Sequence, residues 1–327
     1  MKILKWNGKP IDTPGVYSHV SIDAYHSTTI CVGPSVSSSG LRTIFTQSPA
    51  HFYSDSAYNK DNDDDDDDEK KAESEAFILG RAAHHILLGE DNFSTGFIMR
   101  PLEAPDGRAW NGNNASCREW LEKEAKAGRT VLTPKQIKTI RGMARSLAKD
   151  ELVSAGILNG GIELSAFWLD EKTGVWCKIR PDSIPNDSGD VADLKTTIKM
   201  GDEIDRSIFL EYRYDMQGEM IRWGLREICG LKVESFSLVF VGKKKPFAVD
   251  TVTIKEEDLD AAGKDLRAAL DTFAYCLKTG NWFGHMGSQS DARFARKSEF
   301  AAKKAKWRRS VLLREIGQPV EDEADGH

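Results

Sequence analysis

Two short runs, Arg180-Pro181-Asp182 and Asp193-Leu194-Lys195, carry the residue types of phosphodiester hydrolysis. The first ends in a carboxylate. The second opens on another and places a lysine two positions later. Residues i and i+2 of a β-strand share a face, so within a strand Asp193 and Lys195 point the same way. The intervening stretch, SIPNDSGDVA (183–192), begins with the Pro, Asn, Asp, Ser and Gly of turn chemistry. On either side, GVWCKIRP (174–181) and GDVADLK (189–195) are short apolar-rich runs that read as strands. The expectation is two strands joined by a turn, with Asp182 and Asp193 side by side and Lys195 facing them.

Two acids and one amine converging on one face make a divalent-metal site with a cation beside it. Asp182 and Asp193 would bind one or two Mg²⁺ ions through oxygen, with Mn²⁺ as a substitute and the backbone carbonyl of Leu194 as a further ligand. Lys195 is a compact, mobile charge that would polarise the attacking water or offset charge on the phosphate. Glu163, at the head of the preceding run GIELSAFW, is a candidate third carboxylate, placed to orient a water or bind a second metal. A lone Asp or Lys on a strand is ordinarily a solvated surface group; the combination and its order single these residues out.

Other elements must bring partners to this face. AESEAFILGRAAHHILLGE (72–90) has apolar residues at helical spacing. Its adjacent His84 and His85 point about 100° apart, so one at most looks at a given site. His84 shares a face with Gly80 and Leu88, and spacing alone assigns it no role. YRYDMQGEM puts Tyr214 and Gln217 three apart on a helical face, where both can hydrogen-bond phosphate or base edges. Helices are also predicted from about Ser38 to Ser48-Pro49, over 134–151 with Pro134 in its first turn, within 202–230 ending at Gly230, and over 256–280 ending at Gly280. Residues 162–170, 174–181, 190–197 and 235–254 read as strands, the last as a pair around the basic turn GKKKPF (242–247). Residues 91–133 are mixed. This order describes an α/β layer fold with a mixed sheet flanked by helices.

The chain of 327 residues has a formal net charge of −6, with 45 basic and 51 acidic side chains. Eight acids lie in DNDDDDDDE (61–69) and four more follow Pro319. Without these twelve, 39 acids face 45 bases and the remainder is at +6, a mildly basic body suited to nucleic acid. The acidic run reads as a solvated loop, an insertion at 58–71 within a single domain over 1–290. Residues 291–317 carry nine Lys/Arg against three acids, with Trp307 among them. They read as a basic helical tail within 291–327 that ends in an acidic, disordered C-terminus. Duplex contact, contact between protomers and solubility are all open for the tail, as phosphate contact and an ordinary charged hairpin are for GKKKPF. The five cysteines are scattered, with no CxxC pair. That fits a reducing cytoplasm and argues against zinc or iron–sulfur ligation. No run approaches the ~20 apolar residues of a membrane span, no signal peptide is evident, and no GxxxxGK[ST] motor motif is present.

RPD…DLK resembles the PD-(D/E)xK nuclease signature, which implies a restriction-endonuclease-like α/β core. SSSGL followed by SPAHF (48–52), GRAAHHILLGE, YRYDMQ and TGNWFG resemble, in order, landmarks of the exonuclease VIII (RecE-type) branch, related to lambda-type phage alkaline exonucleases. The resemblance runs from about residue 36 to 284. It makes His84 a metal ligand, Asp182 and Asp193 the metal carboxylates, Lys195 the catalytic lysine and Gln217 the glutamine of a Y-x-x-Q helix. Where relatives carry an aromatic four residues after that glutamine, this chain has Ile221; where they have W-P-G, it has Trp282-Phe283-Gly284. The resemblance further implies 5′→3′ degradation of linear double-stranded DNA to mononucleotides in a bacterial or phage-infected cytoplasm. It also implies a ring-shaped homo-oligomer (trimer or tetramer) and a single-strand annealing recombinase as partner. A 5′-phosphate pocket is implied too, for which Arg42, Ser48 and Arg180 are candidates; Thr196, Tyr214 and Gln217 complete the expected DNA contacts. Two other functions compete: a structure-selective or helicase-associated endonuclease of the same fold, and a catalytically inactive DNA-binding assembly protein.

Overall fold

The computed structural model describes residues 2–59, 75–89, 93–162, 164–186, 188–285, 287 and 297–315. Glu163, the acidic run 61–69 and the acidic C-terminal end lie outside these residues. The chain divides into two compact units, Met1–His285 and Met286–His327.

The first unit opens with strands β1 (Ile3–Lys5) and β2 (Gly15–Ser18), helix α1 (Ile22–His26) and strand β3 (Ser35–Ser37). Helices α2 (Ser38–Thr46), α3 (Pro49–Ser54), α4 (Glu75–Leu87) and α5 (Phe93–Gly96) follow. Next come β4 (Phe97–Met99), α6 (Ala115–Lys126), β5 (Thr130–Leu132), α7 (Pro134–Leu147) and α8 (Glu151–Ser154). The strand cluster is β6 (Gly161–Ile162), β7 (Ser165–Asp170), β8 (Val175–Ile179), β9 (Ser183–Ile184) and β10 (Asp190–Thr197). Helix α9 (Asp202–Arg206) runs into a π-helical turn at Ser207–Glu211, and α10 (Tyr214–Cys229) begins just beyond it. Strands β11 (Ser235–Gly242) and β12 (Val249–Ile254) and the long α11 (Glu256–Thr279) complete this unit. The second unit holds α12 (Glu299–Glu315).

Local chemistry sets most of these boundaries. Thr133 and Gln136 form a reciprocal capping box at the start of α7, with Pro134 in its first turn. Ser48 accepts the His51 N–H and caps α3 where the α2 run breaks at Pro49. Gly230 and Gly280, at φ of +62° and +72°, end α10 and α11 in left-handed geometry that favours glycine. The mixed stretch 91–133 resolves into α5, β4, α6 and β5. Its strands are three residues long, too short to display an alternation.

Two mixed sheets form the centre. A five-stranded sheet runs β1-β2-β7-β8-β3 and a three-stranded one β10-β11-β12. In the second, β10 and β11 are parallel while β11 and β12 are antiparallel. This corrects the expected pairing of the two strands around the turn. β8 pairs with β7 and β3, and β10 pairs with β11. The connecting stretch 180–189 is not a tight turn; it contains β9, which pairs with β6. Asp182 therefore reaches Asp193 from the passage between two sheets, not from a neighbouring strand.

The middle of β10 is apolar on both faces except at Asp193. Val191 packs with Phe236, Leu238 and Phe240 into the larger core, which α10 and α11 cover. Ala192 and Leu194, on the opposite face, join Val239, Val241 and residues of α4 and α7 in a second core. The layer order is helix, sheet, helix, and the strand carrying the acids is covered on both sides. α10 lies close because it turns glycines to the strands. A Cβ on Gly218 would meet Phe236 Cδ1 at 2.4 Å, and one on Gly224 would meet Trp168 Cζ3 at 2.6 Å. Where β7 ends, Asp170 takes two parallel hydrogen bonds from Arg267 on α11, at 2.9 and 3.0 Å, and two from Thr173.

Two outcomes follow from this packing. Gly218→Ala should lower unfolding free energy by about 1–3 kcal/mol in urea denaturation, because the Phe236 ring is fully buried and has nowhere to move. Burial raises the Asp170 carboxyl, but the Arg267 and Thr173 hydrogen bonds outweigh it and hold the group below its usual value. Its stabilisation is present above the unfolded carboxylate value near about 3.9 and is lost as pH falls through the lower folded value. Asp170→Asn should thus cost about 1–2 kcal/mol at pH 7, and acid should close the gap between variant and wild type.

Candidate active site

Asp193 sits in the middle of β10 on the face toward α10, and it is 2% exposed. A carboxylate there is costly unless it is partnered. Gln217 Nε2, from the first turns of α10, donates to its Oδ1 at 3.0 Å. Lys195, two positions along the strand, forms an ion pair with its Oδ2. The Lys195 ammonium lies 4.8 Å from the centroid of the Tyr214 ring. Tyr214 and Gln217, spaced three apart, thus meet Lys195 and Asp193, spaced two apart, face to face: one helical turn matches one strand repeat.

Asp182 approaches the edge of β10. Its Oδ2 accepts the Leu194 N–H at 2.6 Å, so the acid is tied to the backbone between the other two functional residues. Its Oδ1 lies 3.5 Å from His84 Nδ1 on α4. α4 packs on β10 at a place where it carries glycine: a Cβ on Gly80 would come within 3.5 Å of Thr196 Oγ1. One turn later His84 leaves the helix on the same face. His85 points elsewhere, its ring packed edge-on against Phe93 and Phe97.

The electrostatics follow from two acids sharing a small volume. Burial and the neighbouring Asp182 charge push Asp193 above the usual carboxylate range, against the pull of Lys195. Burial would also raise Asp182, but His84, Lys195 and the Leu194 N–H outweigh it and hold it low. His84 is raised because the Asp182 charge and hydrogen bond overcome the cost of burial. Lys195 is raised against burial by Asp193 and Asp182 together. The side chains of Asp182, Lys195 and His84 are 17%, 18% and 26% exposed, so the cluster opens to solvent on that side, with Asp193 at its floor.

Whether these residues suit a divalent ion is a matter of donors and charge. Two carboxylates and an imidazole are ligands for a hard to borderline cation. Asp193 Oδ2 is buried and faces the Lys195 ammonium, so a cation already neutralises that oxygen. Among the described residues no three His, Cys, Asp or Glu side chains converge as a complete metal cage. Lys195 and the Leu194 N–H hold the oxygens such a cage would use, and Glu163, the expected third carboxylate, lies outside the described residues. The donor set fits an oxygen-liganded divalent ion in kind.

Of the expected DNA contacts, Arg42 is near the cluster. Its Nη1 donates to the Tyr212 carbonyl at 2.6 Å, and its guanidinium lies 5.9 Å from the Tyr214 ring centroid. Thr196 lines a pocket beside Lys195. Ser48 and Arg180 have structural partners instead. The Ser48 hydroxyl is buried at the cap of α3, 2.6 Å from His51 Nδ1. Arg180 Nη1 donates to the Val20 carbonyl and to Ser165. Ser48 belongs to a helix cap and Arg180 bridges to β7, partners that residue type alone does not announce. The Leu194 N–H was not legible as a partner of Asp182 in the sequence, since backbone direction leaves no compositional trace.

Mn²⁺ titrated calorimetrically should bind the wild-type protein, and Asp193→Ala should lose at least tenfold in affinity. His84→Ala should lose about 10–100-fold, the range for groups that orient or complete a metal site.

No curated protein matches the chain. Among solved structures, a crystal structure described as a "Putative exonuclease" from Eubacterium rectale aligns at a TM-score of 0.49 and 15% identity, over 81% of this chain and 90% of that one. A family model described as a PDDEXK-like domain of unknown function (DUF3799) matches residues 37–290, from α2 past α11 and across every residue of the cluster. The chain belongs to that PDDEXK-like family, within the PD-(D/E)xK nuclease superfamily.

Proposed function

We propose that this protein is a metal-dependent exonuclease that degrades linear double-stranded DNA from the 5′ end to mononucleotides. One observation carries the reading: Asp182 and Asp193 meet at the edge of β10 with Lys195 on Asp193 and His84 on Asp182. Membership of the PDDEXK-like family supports nuclease chemistry at that cluster. The ordered landmarks from SSSGL to TGNWFG support a DNA-end substrate, and the mildly basic body supports a polyanion.

Asp182 and Asp193, with the Leu194 carbonyl and His84, would hold a divalent ion, Mg²⁺ or Mn²⁺. Bound there, the ion supplies Lewis-acid polarisation of the phosphate and its water. The chain's own groups do the rest. Lys195 stays protonated between the two acids and is positioned to neutralise charge that builds on the phosphate oxygens. Gln217 fixes the Asp193 carboxylate by donating to one oxygen and leaves the other to face the cation. The Leu194 N–H does the same for Asp182. The Tyr214 ring packs beside the Lys195 ammonium and helps to hold its position.

The biological setting we assign is phage-type recombination in a bacterial cytoplasm. There the enzyme acts as a ring of three or four copies beside a single-strand annealing protein. Among the described residues no helix is long and apolar enough to cross a membrane.

Linear duplexes labelled at the 5′ or the 3′ strand end, and a covalently closed circle, test the reading in Mg²⁺ with and without EDTA. Mononucleotides should appear from 5′ ends only, EDTA should stop their release, and the circle should survive. Lys195→Ala should slow release about 10²–10³-fold and Asp193→Ala at least as much. Cutting of the circle would replace the reading with an endonuclease; full activity in Asp193→Ala would remove the cluster from the chemistry.

A further inference from the structure

Beside Lys195 a pocket of about 270 Å³ opens between β10, the π-helical turn and the start of α10. Its chemistry is unlike that of the acid cluster. Tyr212 and Tyr214 stack with ring centroids 5.3 Å apart and planes inclined by 22°. Phe240 backs the inner ring at 6.3 Å, and Lys195, Lys199 and Lys243 lie around the rim. Tyr212, the outer ring, is 51% exposed.

That stack is built at a cost. Residues two apart in a helix point about 200° away from each other, so Tyr212 and Tyr214 cannot stack on a regular helix. They do so because Arg213 between them adopts a left-handed backbone at φ +49°, unfavourable for a side chain of this size. The conformation is held from outside. Arg213 donates to Asp215 and to Asp265 on α11, at 2.8 and 2.7 Å, and its guanidinium lies 4.9 Å from the Phe45 ring centroid. Arg42 clamps the Tyr212 carbonyl from α2. The preceding turn is π-helical, a rare form frequently found at functional sites. Three elements thus cooperate to present an aromatic face to solvent next to the proposed catalytic lysine, where burying the ring would be the cheaper outcome.

We propose that this pocket is a nucleotide subsite in which one base next to the scissile phosphate leaves the duplex and stacks on Tyr212, with its backbone phosphate at Lys199 and Lys243. The inference rests on the nuclease reading and deepens it: the substrate's terminal base is held by an aromatic platform, not read by hydrogen bonds. Stacking is tolerant of sequence because every base has a π-face, as suits an enzyme that must remove each nucleotide in turn. Lys199 lies 5.7 Å from the Tyr212 ring centroid and pairs with Glu211 at the surface. An exposed pair of this kind is weakly held and yields to a phosphate.

Tyr212 is the residue to change, being half exposed and outside the core. On duplexes with normal 5′ ends, Tyr212→Ala should lower kcat/KM roughly tenfold, within the range of one base–aromatic stack, and Tyr212→Phe should restore it. On duplexes whose first or second 5′ nucleotide is abasic, the wild type should lose the same factor at one of the two positions. Tyr212→Ala should lose nothing more there. In parallel, 5-iododeoxyuridine at each position, irradiated with the wild-type protein in EDTA, should crosslink to Tyr212 at that same position and not from the duplex interior. Equal losses in Tyr212→Ala and Tyr212→Phe, an Ala defect that persists on both abasic ends, or no crosslink from either position would overturn the subsite. A protein that crosslinks through Tyr212 and cuts no DNA would overturn the nuclease reading and leave the subsite standing.

Discussion

Two carboxylates share one strand edge, and the rest of this structure is arranged around keeping them there. Asp193 is buried in the face of β10 and Asp182 is pressed against the same strand by a hydrogen bond from the Leu194 N–H. Like charges in a medium poorer in water than bulk repel strongly, and each also forgoes hydration. Lys195, His84 and Gln217 offset that cost from three directions: along the strand, from α4 and from α10. The offset is incomplete at Asp193, whose proton affinity stays raised.

The scaffold explains how helices from both sides of a sheet reach one point. Gly80 and Gly218 each remove a side chain where a helix meets the sheet, at Thr196 and at Phe236. Each lies within four residues of a functional side chain, His84 or Gln217. At Gly218, close approach of the helix and reach of the functional group go together: a larger residue there would meet Phe236 and push the neighbouring Gln217 amide away from Asp193, whereas a Cβ on Gly80 would make only an ordinary contact with Thr196. The same economy appears at Arg213, where a left-handed backbone in one residue sets two rings beside Lys195.

Much of the framework was legible in the chain. The helix stops at Gly230 and Gly280, the start near Ser38, the Pro134 first turn and the strands at 165–170, 175–179, 190–197 and 235–254 all follow from capping, turn and alternation rules. The face shared by Asp193 and Lys195 follows from the two-residue repeat of a strand. His84 needed the family resemblance, because helical spacing cannot say what a helix packs against. The expected hairpin between β8 and β10 was wrong for a related reason. Turn residues at 185–189 describe a reversal of local direction, and they do not record that the chain leaves one sheet, pairs briefly as β9 and enters another.

The sequence by itself determined the chemistry on offer: two acids, a lysine in phase with one of them, a histidine on a helix and a basic body behind acidic runs. These are properties of residue type and short-range spacing, which the backbone geometry of a strand or helix turns into direction. Tertiary structure decided which of those groups meet. It tied Asp182 to the Leu194 N–H beside Asp193, twelve residues along the chain, set His84 rather than His85 against Asp182, and gave Ser48 a partner in a helix cap and Arg180 one on β7. It also raised Tyr212 beside Lys195 by a left-handed residue, Arg213, held by Asp215 next to it and by Asp265 and Phe45 from other helices. Such contacts depend on packing between elements far apart in the chain, where many sequences of the same local pattern would arrive at different neighbours.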